Sequence, residues 1–315
     1  MNTPINIEVS AIGDSAVPTG IDPDTEDQDC KHPAPSLLPT PIAITLMISG
    51  FAHLGLLWFL GAEWTGPLSP RKPGLFGLSA GLTVWSLAWV VSQFRPGKLN
   101  RSLVSFMSRC LLLEVGLITL QYWRGVPSHF NRTTTFDAIV ESIMLTLILL
   151  VTLGVAWLCW NSRRLLPMEE SRAISIRAGL WFLLVACLLG FLATIIGEIH
   201  LVKGMSPEIW GRGGVLKYPH GAVLHAIQTL PALSVLLEKL RVSSSARVIR
   251  AAVNAHFLFL FHALWQTFHG LARTEIQWNG IAAMAVAALV LMLWNPAARM
   301  FCAGRSQPRG ISLTV

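Results

Sequence analysis

Charge is scarce in this sequence. Only 13% of its 315 residues are Asp, Glu, Lys or Arg, against about a quarter in soluble domains. With 53% hydrophobic residues and a mean hydropathy of +0.55, the chain cannot cover a soluble globule with polar groups. Cysteine signals are also lacking. Cys30, Cys110, Cys159, Cys187 and Cys302 form no CxxC pair and no metal-type spacing. Three of them lie inside apolar runs, where a thiol behaves as a small hydrophobe, so no disulfide framework is expected. HxxxH, HExxH and CxxCH motifs are absent, and no Ser or Cys stands in a recognisable nucleophile context. The net charge of +7 does not imply nucleic acid. The basic residues lie in short loops between apolar runs, where they report topology.

Long apolar runs are what the sequence has. Eight cover 41–62, 74–94, 103–123, 137–160, 175–198, 219–238, 249–271 and 279–298, each near the roughly twenty residues needed to cross hydrocarbon. The expected fold is all-α: a polytopic membrane helical bundle over 41–300 with about eight transmembrane helices. Residues 1–40 carry seven acids, one base (Lys31) and no aromatic residue, which reads as a disordered acidic tail. That polar start predicts no cleavable signal peptide. Residues 301–315 read as a flexible C-terminal tail. With eight spans, the side that holds both termini carries fifteen Lys and Arg and the other side eight. The positive-inside rule then places both termini in the cytoplasm. Trp64, Trp123, Trp210 and Trp278 fit an outer interfacial belt, and Trp89, Trp157, Trp160 and Trp294 an inner one.

Ionisable groups inside membrane helices are costly and are retained mostly for function. His53 is placed near the middle of the first span, Glu114 and Gln121 in the outer half of the third, and Asp137 and Glu141 at the start of the fourth. Glu198 and His200 close the fifth, and His220, His225 and Gln228 occupy the outer half of the sixth. His262, Gln266 and His269 share a face of the seventh, while His32 and His256 fall on the cytoplasmic side. The expectation is one outward-facing polar cup in which Glu114, His225 and His262 are deepest. Plainer readings stand beside it. Asp137 serves as a helix cap, His53 as a hydrogen-bonded core residue, and His200, Glu198 and His269 as wet interface groups. Pro231 predicts a bend in the sixth span beside the cluster.

Two loops stand out. In both, a polar residue (Gln121, His200) precedes a base (Arg124, Lys203) by three positions and a glycine (Gly125, Gly204) by four. The pattern is that of a degenerate helical-hairpin repeat. Asn131-Arg132-Thr133 also fits a glycosylation sequon. The run from Gly125 to Asn131 with Phe136-Asp137, and the run Pro219-His220 … Leu224-His225-Ala226 with Gln228 and Leu230-Pro231, resemble motifs of multispanning bacterial membrane proteins with no established activity. The likeness covers about residues 110–235. It implies an inner-membrane setting and no particular chemistry. The Pro-His-Gly triplet also resembles membrane-bound carotenoid-cleaving oxygenases, but the acidic residue and second histidine that follow there are lacking.

Three function classes follow. In the first, haem or a transition metal binds at the outer face, with His225 and His262 as the ligand pair, His220 and His53 in reserve, and Glu114 or Asp137 orienting an imidazole. Against a shared ion, His220 and His225 point about 140° apart on an ideal helix. An enzyme variant uses His129 or His220 as a base assisted by Asp137 and Glu141, with Glu114 moving protons. In the second class, the polar groups form a path for protons or a small solute, although the inner half lacks matching polar residues. In the third, the chain is a non-catalytic assembly subunit whose tail and charge serve docking or anionic lipid. The bilayer is the common partner, with a homo-oligomer or a membrane-complex partner in addition.

Overall fold

A computed structural model describes residues 40–294 apart from 65, 67 and 96. The two predicted tails, with Lys31, His32, Cys30 and Cys302, lie outside the described residues. The helices are α1 (Pro41–Phe59), α2 (Arg71–Ser92), α3 (Lys98–Trp123), α4 (Thr135–Asn161) and α5 (Glu170–Val202). They continue with α6 (Tyr218–Leu224), α7 (Ala226–Lys239), α8 (Ser245–Phe268) and α9 (Trp278–Trp294). Seven helical segments are long and apolar enough to cross a membrane when α6 and α7 are taken together as Tyr218–Lys239. The eighth expected span is also an apolar helix, but its described part is shorter.

The sequence places the helix starts. Thr40 caps α1 by accepting from the Ala43 N–H, with Pro41 in the first turn. Thr134 caps α4 through the Asp137 N–H at 3.1 Å. The core lies where α2, α3, α4, α5 and α7 meet, around Leu87, Met107, Val155, Leu180, Leu183 and Ile227. α3 packs between α2 and α4, α4 reaches α5, α5 meets α7, and α7 returns to α2. Outside this ring, α1 covers α2, α8 covers α5, α6 and α7, and α9 packs on α8.

The α1–α2 contact depends on small residues at i, i+3 and i+7. A Cβ on Gly77 would fall 2.8 Å from the Leu46 carbonyl oxygen, and one on Gly81 would fall 2.9 Å from that of Ala43. Backbones that close require glycine, a common device where lipid leaves little hydrophobic drive between helices. On α5 the large side chains Trp181, Leu188, Leu192, Ile195 and Ile199 form one exposed stripe at helical spacing.

Two features differ from expectation. A two-stranded antiparallel hairpin, β1 (Ile209–Trp210) with β2 (Gly214–Val215), stands between α5 and α6. It packs on the end of α8, where Thr267 Oγ1 donates to the Val215 carbonyl at 3.1 Å. The sixth span is also broken one turn nearer its start than Pro231 would place the bend. Pro231 stays inside α7, and the interruption falls at His225 (φ −90°, ψ 7°). The ring of Pro231 crowds the preceding turn, and α7 restarts with the Gln228 and Thr229 N–H groups both on the His225 carbonyl, at 3.1 and 3.0 Å.

Candidate functional site

The bundle end that carries the 3–4 loop is held by one repeated device. α3, α5 and α8 each finish on a left-handed glycine: Gly125 (φ 68°), Gly204 (φ 70°) and Gly270 (φ 69°). At each, the following N–H reaches five residues back, to Gln121, His200 and Gln266 respectively, as in a Schellman cap. The side chains at those three positions turn inward and tie down the outgoing loop. Gln121 Nε2 donates to Asp137 Oδ1 at 3.0 Å, His200 Nδ1 to the Ser206 carbonyl at 3.1 Å, and Gln266 Nε2 to the Glu275 carbonyl at 2.6 Å. The similarity of the two loops is therefore a shared capping motif.

Asp137 and Glu141 are engaged in this scaffold. Asp137 Oδ1 accepts from Gln121 and, at 2.6 Å, from the Arg124 guanidinium, while Oδ2 accepts from Thr134 Oγ1 at 2.6 Å. Glu141 Oε1 accepts from the Phe130 N–H at 2.7 Å, and its Oε2 faces Arg132 Nε at 3.0 Å. Phe130 adopts φ 57° and presses on α5 at Gly197, where a Cβ would meet Phe130 Cζ at 2.5 Å. His129 Nδ1 lies 3.0 Å from Ser128 Oγ. Burial, reinforced by the charges of Lys72 and Lys217, holds its imidazole well below the ordinary histidine range. In the next loop, burial would raise the Glu208 carboxyl, but the charge and hydrogen bond of Lys217, with Lys72 and Arg71, keep it below its ordinary value. His129 is a neutral imidazole beside two lysines, a base with little capacity to hold a proton.

Five of the eight described histidines direct Nδ1 at a backbone carbonyl: His53 at Ser49, His200 at Ser206, His220 at Ala186, His256 at Ala252 and His269 at Trp265. Such a bond fixes the ring and leaves Nε2 as the acceptor in the neutral form. His53 lies near the middle of α1, as expected; its ring meets that of Tyr122 edge-on with centroids 5.8 Å apart, and its Nε2 is buried without a hydrogen-bond partner among the described residues.

His225 differs. It stands at the α6–α7 break, is exposed, and is held by side chains alone. Its Nδ1 lies 3.3 Å from Gln228 Oε1, and its Nε2 lies 3.5 Å from Ser79 Oγ on α2. Gln228 Nε2 donates to Thr83 Oγ1 at 3.4 Å, so α2 and α7 are joined by a polar seam. The chain continues sideways. Thr229 Oγ1 lies 3.2 Å from the His225 carbonyl and 3.1 Å from His256 Nε2. His256 falls at the middle of α8, which begins at Ser245, four residues before its apolar run. Ser79, Thr83 and Thr229 were missed because hydroxyls in apolar helices mostly bond their own backbone and give no pattern in the sequence.

His225 and His262 face different neighbours. His225 meets α2, whereas His262 meets the Tyr218 ring edge-on and lines a crevice between α8 and α9. Among the described residues no three His, Cys, Asp or Glu side chains gather as a metal-holding group. The expected metal or haem ligand set of His225, His262, His220 and His53 therefore has no such cluster behind it. Glu114 is buried in α3, 7% exposed, with no hydrogen bond or ion pair to another described residue. Toward the other bundle end, α7 pairs with α5. Ser175 Oγ donates to Ser234 Oγ at 3.1 Å, both fully buried. One turn further, the Arg172 guanidinium forks onto the Glu238 carboxylate.

No family model, curated protein or solved structure matches the chain. Function is therefore argued from the site.

Proposed function

We propose that the chain is a multi-pass inner-membrane protein with cytoplasmic termini that moves protons or a small hydrogen-bonding solute through the seam between α2 and α7. The Lys and Arg distribution supports the orientation. The observation that carries the function is the helix break at His225, aligned with the hydroxyls of Ser79 and Thr83. Interrupted membrane helices bordering polar groups form the binding sites of many transporters. The seam offers neutral donors and acceptors with two imidazoles, which suits a proton or a small polar molecule better than a bare cation.

The α5–α7 pairs answer the objection that the inner half lacks polar residues. Ser175–Ser234 and Arg172–Glu238 continue the polar edge of α7 toward the cytoplasmic end, and there they are closed by mutual pairing. Pairing that closes the cytoplasmic end suits an outward-facing state. The metal or haem reading ranks lower because it needs His225 and His262 to share a ligand, and they face different helices. The test is proton flux into proteoliposomes that hold a pH-sensitive dye, driven by a potassium diffusion potential. The proposal expects flux above that of empty liposomes, lost in His225→Ala. Equal leakage with and without the protein would count against proton movement and leave solute transport to be tested with the same variant.

A further inference from the structure

The crevice between α8 and α9 is a second site, independent of the His225 seam. It encloses about 140 Å³ and is lined by His262, Trp265 and Gln266 of α8 and by Gly280, Ile281 and Met284 of α9. Two of its polar atoms are orphaned. Gln266 is 3% exposed, and its Oε1 is buried with no hydrogen-bond partner among the described residues. Trp265 Nε1 is buried in the same condition. Gln266 Nε2 is spent on the Glu275 carbonyl, so the free oxygen belongs to the cavity side. Leaving such groups unpaired costs about 1–3 kcal/mol each, and each one calls for an explanation.

Size and polarity define the occupant. An apolar cavity of about 150 Å³ is large enough for one benzene ring. Leu271, Ile276, Ile281 and Met284 supply apolar walls. The orphans are one acceptor (Gln266 Oε1) and one donor (Trp265 Nε1–H) on adjacent residues. A hydroxyl has the complementary chemistry for either orphan: its proton suits Gln266 Oε1 and its oxygen can accept from Trp265 Nε1–H. We infer that the α8–α9 crevice binds a small hydroxylated ring of the phenol type, entering between the end of α8 and the start of α9. His262, which makes no hydrogen bond to another described residue, borders the ring as a flat polar wall.

The test uses the full chain in nanodiscs and two probes, 4-fluorophenol and fluorobenzene, followed by fluorine NMR. Two variants separate the contributions. Gly280→Ala puts a methyl 3.1 Å from Trp265 Nε1 and raises helix propensity in α9, so it blocks the site without threatening the fold. Trp265→Phe keeps an aromatic ring beside His269 and removes the N–H. We expect saturable 4-fluorophenol binding that Gly280→Ala abolishes and Trp265→Phe weakens by about fivefold, the worth of one hydrogen bond. Fluorobenzene should bind more weakly and ignore Trp265→Phe. Linear, non-saturable partitioning of 4-fluorophenol, unchanged by either variant, would mean that only water fills the crevice and would overturn the inference. Equal affinity for both probes would overturn the hydroxyl assignment.

Discussion

Thr229 Oγ1 stands between two acceptors, the His225 carbonyl at 3.2 Å and His256 Nε2 at 3.1 Å. One hydroxyl proton cannot serve both. By rotating, the hydroxyl gives its proton either to the carbonyl or to the imidazole. Thr229 is thus the side chain that links the helix break to α8. Removing the hydroxyl while keeping the shape, as in Thr229→Val, should lower proton flux at least about tenfold, since a relay step is lost. Unchanged flux would remove Thr229 from the path.

The Arg172–Glu238 fork predicts a latch. Glu238→Gln weakens the pair while keeping its size. A cysteine placed at Ser234 should resist a membrane-impermeant thiol reagent applied from the cytoplasmic side in an otherwise unaltered chain. It should label several-fold faster when Glu238→Gln is added. Equal labelling in both would show that the pair does not close the inner half.

Asp137 predicts stability without activity. Its carboxylate holds Gln121, Arg124 and Thr134 together while Thr134 caps α4. Asp137→Ala should cost about 1–3 kcal/mol, as for loss of a cap and a buried acceptor, read as a lower melting temperature in detergent. Flux per folded protein should not change. Loss of flux with unchanged stability would return Asp137 to the functional set.

The loops predict acid sensitivity with a definite sign. The folded-state value of His129 lies below its ordinary 6.5, so the unfolded chain binds the extra proton. Its contribution is present above about pH 6.5 and is lost as pH falls. The folded-state value of Glu208 lies below its ordinary 4.5, so its contribution is likewise lost on further acidification. Thermal melts should fall from pH 7 toward pH 5, and His129→Gln should flatten the upper part of that slope. A melting temperature that rises on acidification would contradict the assignment.

Seven of the eight expected spans are helices long and apolar enough to cross a membrane, and the apolar runs alone located them because each span needs about the same length of hydrocarbon-compatible sequence. The glycines of α2 gave no warning that α1 would approach within backbone contact; their role depends on which helix lies opposite. Gln121, His200 and Gln266 looked like expensive residues of a site because their depth and polarity were visible. Their use as loop tethers was not, since it depends on the cap geometry at Gly125, Gly204 and Gly270. His225 was legible as a histidine in a proline-bent helix but was expected deep in the bundle, whereas it is exposed. The break itself, and the alignment of Ser79 and Thr83 with it, required the packing of α2 on α7.

The most direct test of the account is proton flux through the seam, measured in proteoliposomes of the natural sequence, of His225→Ala and of Gln228→Leu. The account predicts potential-driven acidification with the first and at least about a tenfold loss in both variants, because each removes a member of one hydrogen-bonded chain. Acidification that persists in both variants while each remains folded would contradict a functional role for the α2–α7 seam.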